Sequence, residues 1–255
     1  MEQVKEQSVD SGRPTPGALL ECTSVVRRFA GMVAVSNVSI AVHPGEILAI
    51  IGPNGAGKTT LFNLLTGQLR PNGGGDIYFR GRRITHLPVH ERAKIGLGRT
   101  FQIVRPLPDL TVFENTVMGA FAKNRLRKDA EEKALQVLEE VGLADMVKQR
   151  AGDLPLPQRK RLEVARALAT EPDVLLLDEV MAGLNPTEIG SAIDLFHRLH
   201  GEGKTLVLIE HNLKVVRTLS RRVVVLDHGA ELAAGTPAEV LDHPDVVRAY
   251  LGNRR

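Results

Sequence analysis

Two short apolar runs, Ile47 to Ile51 and Val174 to Leu177, contain no polar side chain. Segments of that length and composition predict strands covered on both faces. Thr205 to Ile209 and Arg222 to Leu226 read as further strands of the same kind. Upstream the pattern changes. Leu20 to Val26 is rich in strand formers, and Val38, Ile40 and Val42 alternate with Ser39 and Ala41, which predicts an antiparallel pair with one buried face. Pro44-Gly45 marks the turn into Ile47, and the glycine-rich stretch Pro71 to Gly75 precedes a short strand at Asp76 to Arg80.

Helical spacing takes over elsewhere. Lys58 to Thr66 and Pro186 to Leu199 read as helices, and from Thr100 to Ala169 apolar residues recur at spacings of three and four among many Glu, Lys and Arg. Arg127 to Val141 is the clearest helix, with Ala134, Leu135, Leu138 and Val141 assigned to one face. Strand and helix in alternation imply a parallel sheet with crossover connections. The predicted class is α/β, a parallel-sheet core with an N-terminal antiparallel β subdomain and an inserted α-helical subdomain over residues 100–170.

Composition narrows the classes. The chain has 255 residues, 43% hydrophobic and 25% charged, which excludes disorder, collagen and coiled coil. That length holds one large domain, here expected over residues 19–255, with residues 1–18 as a mobile tail. Cys22 is the only cysteine, so neither an intrachain disulfide nor a cysteine-rich zinc site can form. No apolar run approaches the roughly 18 residues of a membrane-spanning helix. Met1 to Gly17 lacks the apolar stretch of a secretion signal, so the expected location is cytoplasmic. Lys plus Arg number 33 against 30 acidic residues, and with no Trp and 4% aromatics, nucleic acid is not an expected partner.

The most specific chemistry lies at Gly52-Pro53-Asn54-Gly55-Ala56-Gly57-Lys58-Thr59, which satisfies G-x-x-x-x-G-K-S/T between a buried strand and a helix. Its glycines let the backbone curl so that successive N–H groups point at phosphate oxygens, and the helix N-terminus adds partial positive charge. The candidate nucleotide-binding residues are therefore Asn54, Gly55, Ala56, Gly57, Lys58, Thr59 and Thr60. Lys58 supplies a full charge to the β and γ phosphates, and the Thr59 hydroxyl can ligate Mg²⁺. The run Val174 to Leu177 ends in Asp178-Glu179, at the strand edge that faces the ligand crevice in a parallel sheet. There Asp178 can hold the metal, and Glu179 can orient or deprotonate an attacking water. His211, after the similar run Leu206 to Glu210, belongs to the same edge. The pairs His86 with His90 and His197 with His200 lack the helix context and third ligand of a catalytic zinc site and read as surface or packing residues.

This ordered set resembles the ATP-binding cassette (ABC) ATPases, from about Leu20 to Gly252, with a P-loop NTPase core. The resemblance implies ATP and Mg²⁺ as cofactors and assigns further roles. Arg99-Thr100-Phe101-Gln102 is similar to the family's Q-loop, so Gln102 would sense Mg²⁺ or the attacking water and link to a membrane partner. Phe29 matches the aromatic that stacks on adenine, Gly183 to Pro186 the D-loop, and His211 the switch histidine that contacts the γ-phosphate. Without the family, Gly183 to Pro186 is a turn before a helix capped by Asn185 or Thr187.

Gly96 to Gly119, Leu162 to Leu168 and Val247 to Gly252 are most similar to the ATPases of branched-chain amino-acid importers. That subgroup implies a second ABC ATPase subunit, a transmembrane permease pair, an extracytoplasmic solute-binding protein and a place on the inner face of the cell membrane. Related amides, urea or aromatic acids stay open as solutes.

The signature Leu-Ser-Gly-Gly-Gln falls at Leu154, Pro155, Leu156, Pro157 and Gln158, with the serine and both glycines replaced. In the family this loop completes the site of the opposite subunit. Proline carries no N–H, so Pro157 cannot donate a charge-assisted hydrogen bond of about 1.5 to 3 kcal/mol to the phosphate there. Proline suits a first helical turn, so the helix should persist. The expectation is a heterodimer in which this signature serves a weakened site. The alternative is a pseudo-ATPase or regulatory partner with weak turnover. A GTPase is disfavoured, since neither Asp-x-x-Gly nor Asn-Lys-x-Asp patterns occur. Val180, where the family usually has proline, has no account at this level.

Overall fold

A computed structural model describes residues 15–100 and 106–251. Residues 1–14 of the expected tail, Gln102, and Gly252 of the terminal motif lie outside the described residues. Thr15 to Ala18, read with the tail, form a turn in which the Thr15 amide and hydroxyl both donate to the Glu21 carboxylate.

The chain runs β1 (Leu20–Phe29), β2 (Met32–Val42), β3 (Ile47–Ile51), α1 (Lys58–Leu65), β4 (Asp76–Phe79), β5 (Arg82–Arg83), α2 (Val89–Lys94) and β6 (Leu97–Arg99). Three helices follow, α3 (Val112–Ala120), α4 (Arg127–Glu140) and α5 (Leu156–Ala169). Then come β7 (Val174–Asp178), α6 (Pro186–Gly201), β8 (Thr205–Ile209), α7 (Leu213–Leu219), β9 (Arg222–Asp227), β10 (Ala230–Gly235), α8 (Pro237–Leu241) and α9 (Pro244–Leu251).

The six-stranded sheet has the order β10-β9-β3-β8-β7-β6, parallel throughout except for the β10–β9 hairpin. Successive side chains of a strand point to opposite faces, so residue parity sorts the apolar runs into two cores. Ile47, Ala49, Ile51, Leu175, Leu177, Leu206, Leu208, Val223 and Val225 face one cluster, which is completed by α3, α4, α5, α6 and α7. Leu48, Ile50, Val174, Leu176, Val207, Ile209, Val224 and Leu226 face the other, which holds α1 and the four-stranded antiparallel sheet β2-β1-β4-β5. The α/β class with its antiparallel β part is thus the observed one.

One expected packing face differs. On α4, Ala130, Ala134, Val137 and Leu138 are buried, as is Val141 after it, whereas Leu135 is 51% exposed. At 100° per residue Leu135 falls on the flank of the stripe centred on Ala134 and Leu138, outside the width that reaches the core. The first turn of α5 contains Pro157, and the helix forms around it as that position allows.

Candidate functional site

β3 ends at Ile51 in the middle of the sheet, and the chain turns sharply at Gly52. Gly52 and Gly57 have φ of 147° and 97°, and a Cβ would strike the carbonyl oxygen of Leu226 at the first and of Ala34 at the second. Only glycine fits both conformations and both approaches. Gly57 caps α1 without any side-chain bond, so the first-turn amides of that helix stay available to an anion. The Lys58 ammonium rests on the carbonyls of Gly52 at 2.8 Å and Pro53 at 2.9 Å. Burial pushes it below its ordinary pKa, and the carboxylates of Glu179 and Asp178 oppose that shift.

β7 brings Asp178 to the same edge, two strands from β3. Its side chain is 1% exposed, and Oδ2 pairs with the Arg99 guanidinium at 2.8 Å. Oδ1 is buried with no hydrogen-bond partner among the described residues. Burial pushes this carboxyl above the ordinary range, and Arg99 pulls it back. Glu179 follows with φ of 51°, a left-handed conformation that is sparse for a side-chain-bearing residue, and its amide donates to the Ile209 carbonyl at 3.0 Å. The turn aims its carboxylate at His211, with Oε1 2.7 Å from Nε2.

A cavity of about 830 Å³ is lined by Phe29, Asn54 to Thr60, Glu179 and His211, so these expected residues converge on one space. Phe29 is 37% exposed, with the Arg27 guanidinium 4.6 Å from its ring centroid. Asp178 lies behind Glu179, buried on Arg99. Pro157 and Gln158 line a different cavity of about 220 Å³, together with Val180 and Leu184. Leu154 is buried, Pro155 caps α5, and Leu156 is half-exposed beside Gly183. The departure at Val180 now has a physical setting, since its side chain is buried in the helical core. Asn185, not Thr187, caps α6, with Oδ1 accepting from the amides of Thr187 and Glu188 and Glu188 returning a bond to the Asn185 amide.

Sequence reasoning missed two partners of the site. Arg99 was noted only as the start of a motif, although it carries the ion pair to Asp178 and also binds Asn63, Thr66 and Gln68. Tyr250, on α9, accepts the Gly52 N–H at 2.7 Å and so fastens the C-terminal helix to the start of the phosphate loop. A lone hydroxyl in an amphipathic tail helix gives no signal for that contact. Among the described residues no cluster of His, Cys, Asp and Glu has metal-binding geometry of its own.

The chain is similar to known proteins in sequence and in fold. Residues 35–182 match the ABC transporter family, and residues 231–254 match the family described as branched-chain amino acid ATP-binding cassette transporter. The high-affinity branched-chain amino acid transport ATP-binding protein LivG of Escherichia coli K12 is 40% identical over 250 residues, covering 92% of this chain and 98% of LivG. The crystal structure of the ADP conformation of MJ1267, an ATP-binding cassette of an ABC transporter, superposes with a TM-score of 0.84 at 32% identity, covering 92% of this chain and 99% of that one. The dimeric structure of MJ0796, a bacterial ABC transporter cassette, gives 0.78 at 26% identity, covering 86% and 98%.

Proposed function

This chain belongs to the ABC transporter family of ATP-binding subunits, and we propose that it hydrolyses ATP to power a branched-chain amino-acid importer. The amides of Asn54 to Thr60 and the Lys58 ammonium take the phosphates, and Phe29 stacks on adenine. The residues fit Mg²⁺, because Asp178 Oδ1 is a buried oxygen without a hydrogen-bond partner among the described residues and Thr59 adds a hydroxyl at the helix start. Asp178, Thr59 and Gln102 would hold the ion, whose charge when bound offsets that of the phosphate oxygens. Glu179 accepts a proton from water as the water oxygen bonds to the γ-phosphorus and the bond to the bridging oxygen breaks, releasing ADP and phosphate. His211 orients Glu179 and reaches toward the γ-phosphate.

The observation that carries this reading is the 2.7 Å contact of Glu179 with His211 on the cavity that also holds Lys58. Glu179→Gln is expected to bind ATP while losing turnover by at least about a hundredfold, the size of a general-base contribution. Wild-type turnover in that variant overturns the assignment.

The chain acts as one of two ATPase subunits beneath a permease pair, on the inner face of the membrane, with solute delivered by an extracytoplasmic binding protein. No helix among the described residues is long and apolar enough to cross a membrane. A heterodimer is the favoured pair, because Pro155 and Pro157 remove two N–H groups from the turn that would face the partner's nucleotide. In the reconstituted pair, single-turnover rates at the two sites should differ, and Pro157→Gly should raise the slower one. Equal rates, or no change with Pro157→Gly, count against it.

A further inference from the structure

Two buried ionisable side chains lie beside the site without a part in the chemistry above. Lys160, on α5, is 7% exposed and donates its Nζ to the Glu179 carbonyl oxygen at 3.1 Å. Glu210, between β8 and His211, is 3% exposed, and its carboxyl accepts the Met181 N–H at 3.2 Å. Each draws the other toward its charged form against the cost of burial. Buried charges of this kind are a poor source of stability, which directs attention to what they hold. They hold the backbone just after the Glu179 side chain, at its own carbonyl and at the Met181 N–H, and Glu210 is the chain neighbour of His211. That backbone needs holding, because Glu179 sits at φ of 51°.

We propose that Lys160 and Glu210 are positioning residues for hydrolysis, a clamp that fixes the left-handed turn at Glu179 and its contact with His211. The clamp rests on the reading of Glu179 as the base. It also has a direction. Lys160 rides on the helix whose first turn carries Pro155 to Gln158, the segment set against the partner's nucleotide. A shift of that helix moves the Glu179 carbonyl, so nucleotide engagement in the partner's site is felt at the glutamate of this one.

The test uses the full-length chain with Lys160→Met, Lys160→Arg, Glu210→Gln and the double variant Lys160→Met/Glu210→Gln. Steady-state ATPase gives kcat, and fluorescence titration with a nucleotide analogue and Mg²⁺ gives Kd. The expected result for Lys160→Met is a kcat lower by about tenfold or more with Kd held within about twofold, the pattern of an interaction felt in the transition state alone. Lys160→Arg should restore most of the rate. The double variant, with both charges gone, keeps the fold where a single variant loses it and stays slow. Glu210→Gln, nearly isosteric, gives the same contrast without touching α5. Glu179→Gln is the control: if it turns over normally, the base assignment fails and the clamp with it. With that control inactive, wild-type kcat in Lys160→Met, or a loss confined to Kd, overturns the clamp alone.

Discussion

Replacing Arg99 by Met is the most severe test of how the carboxyl edge of the sheet is built. The guanidinium and the Asp178 carboxylate meet at 2.8 Å with side-chain exposures of 7% and 1%, so neither group has water to fall back on. Methionine keeps the length and apolar stem but leaves both Asp178 oxygens without a hydrogen-bond partner among the described residues and removes the bonds to Asn63, Thr66 and Gln68. Breaking a buried pair from one side costs about 3 to 5 kcal/mol. For a chain of this size each kcal/mol moves the melting temperature by about 2 to 4 °C, so the expected drop is about 6 to 20 °C.

The loss also carries a pH signature. Burial already holds Asp178 above its ordinary pKa, and without Arg99 it rises further. A group raised in the folded state favours folding below its unfolded value, about 4, and loses that contribution as pH climbs through the folded value. The gap between wild type and Arg99→Met should therefore be narrower in acid than at neutral pH. Equilibrium urea unfolding without nucleotide, across that range, is the assay. The double variant Arg99→Met/Asp178→Leu should recover most of the loss, since no charge is then stranded. A single-variant loss under about 1 kcal/mol, or a double variant as unstable as the single, refutes the account of the pair as a mutual necessity.

Tyr250→Phe leaves the Gly52 N–H without its acceptor, which should cost about 1 to 3 kcal/mol in urea unfolding and weaken nucleotide binding; unchanged values for both would show that α9 does not support the loop. Glu210 is pushed up to about 7 by burial, so its favourable contribution is complete below about 4.5 and lost as pH rises through 7, a swing of about 3 kcal/mol. Glutamine does not titrate, so the melting temperature of Glu210→Gln relative to wild type should increase from pH 5 to pH 8, and a constant difference contradicts the shift. Asn185→Ala removes the cap of α6 and should destabilise by about 1 kcal/mol with circular dichroism as the readout; no change would mean that Glu188 alone secures that turn.

How far the sequence could be read follows from the range of each interaction. β3, β7, β8 and β9 were legible because a parallel sheet covered on both faces demands uninterrupted apolar runs. The phosphate loop was legible because glycines at fixed spacing answer to local backbone geometry. β6 was not, since three residues with a central Gly98 carry no period, and β10 is built from Ala, Glu, Leu and Gly, poor strand formers paired only to an edge. The pair of Arg99 with Asp178 joins residues 79 positions apart, and no local pattern announces it. Lys160 was hidden for the opposite reason. A charge among Arg159, Arg161 and Arg166 reads as solvated surface, and only the fold turns that one side chain inward.

The division of the apolar residues by parity has a consequence for the site. Lys58 stands on a helix seated in the core shared with the antiparallel sheet, while Glu179 leads into Val180 and Met181, which are anchored in the helical core on the other side. The Lys58 ammonium and the Glu179 carboxylate are thus mounted on two separate foundations that share a wall one sheet thick. Their separation is a gauge of how those foundations are registered. Any force that slides the helical layer along that wall, such as the pull of a membrane partner, is read at the cavity as a change in alignment between binding and chemistry.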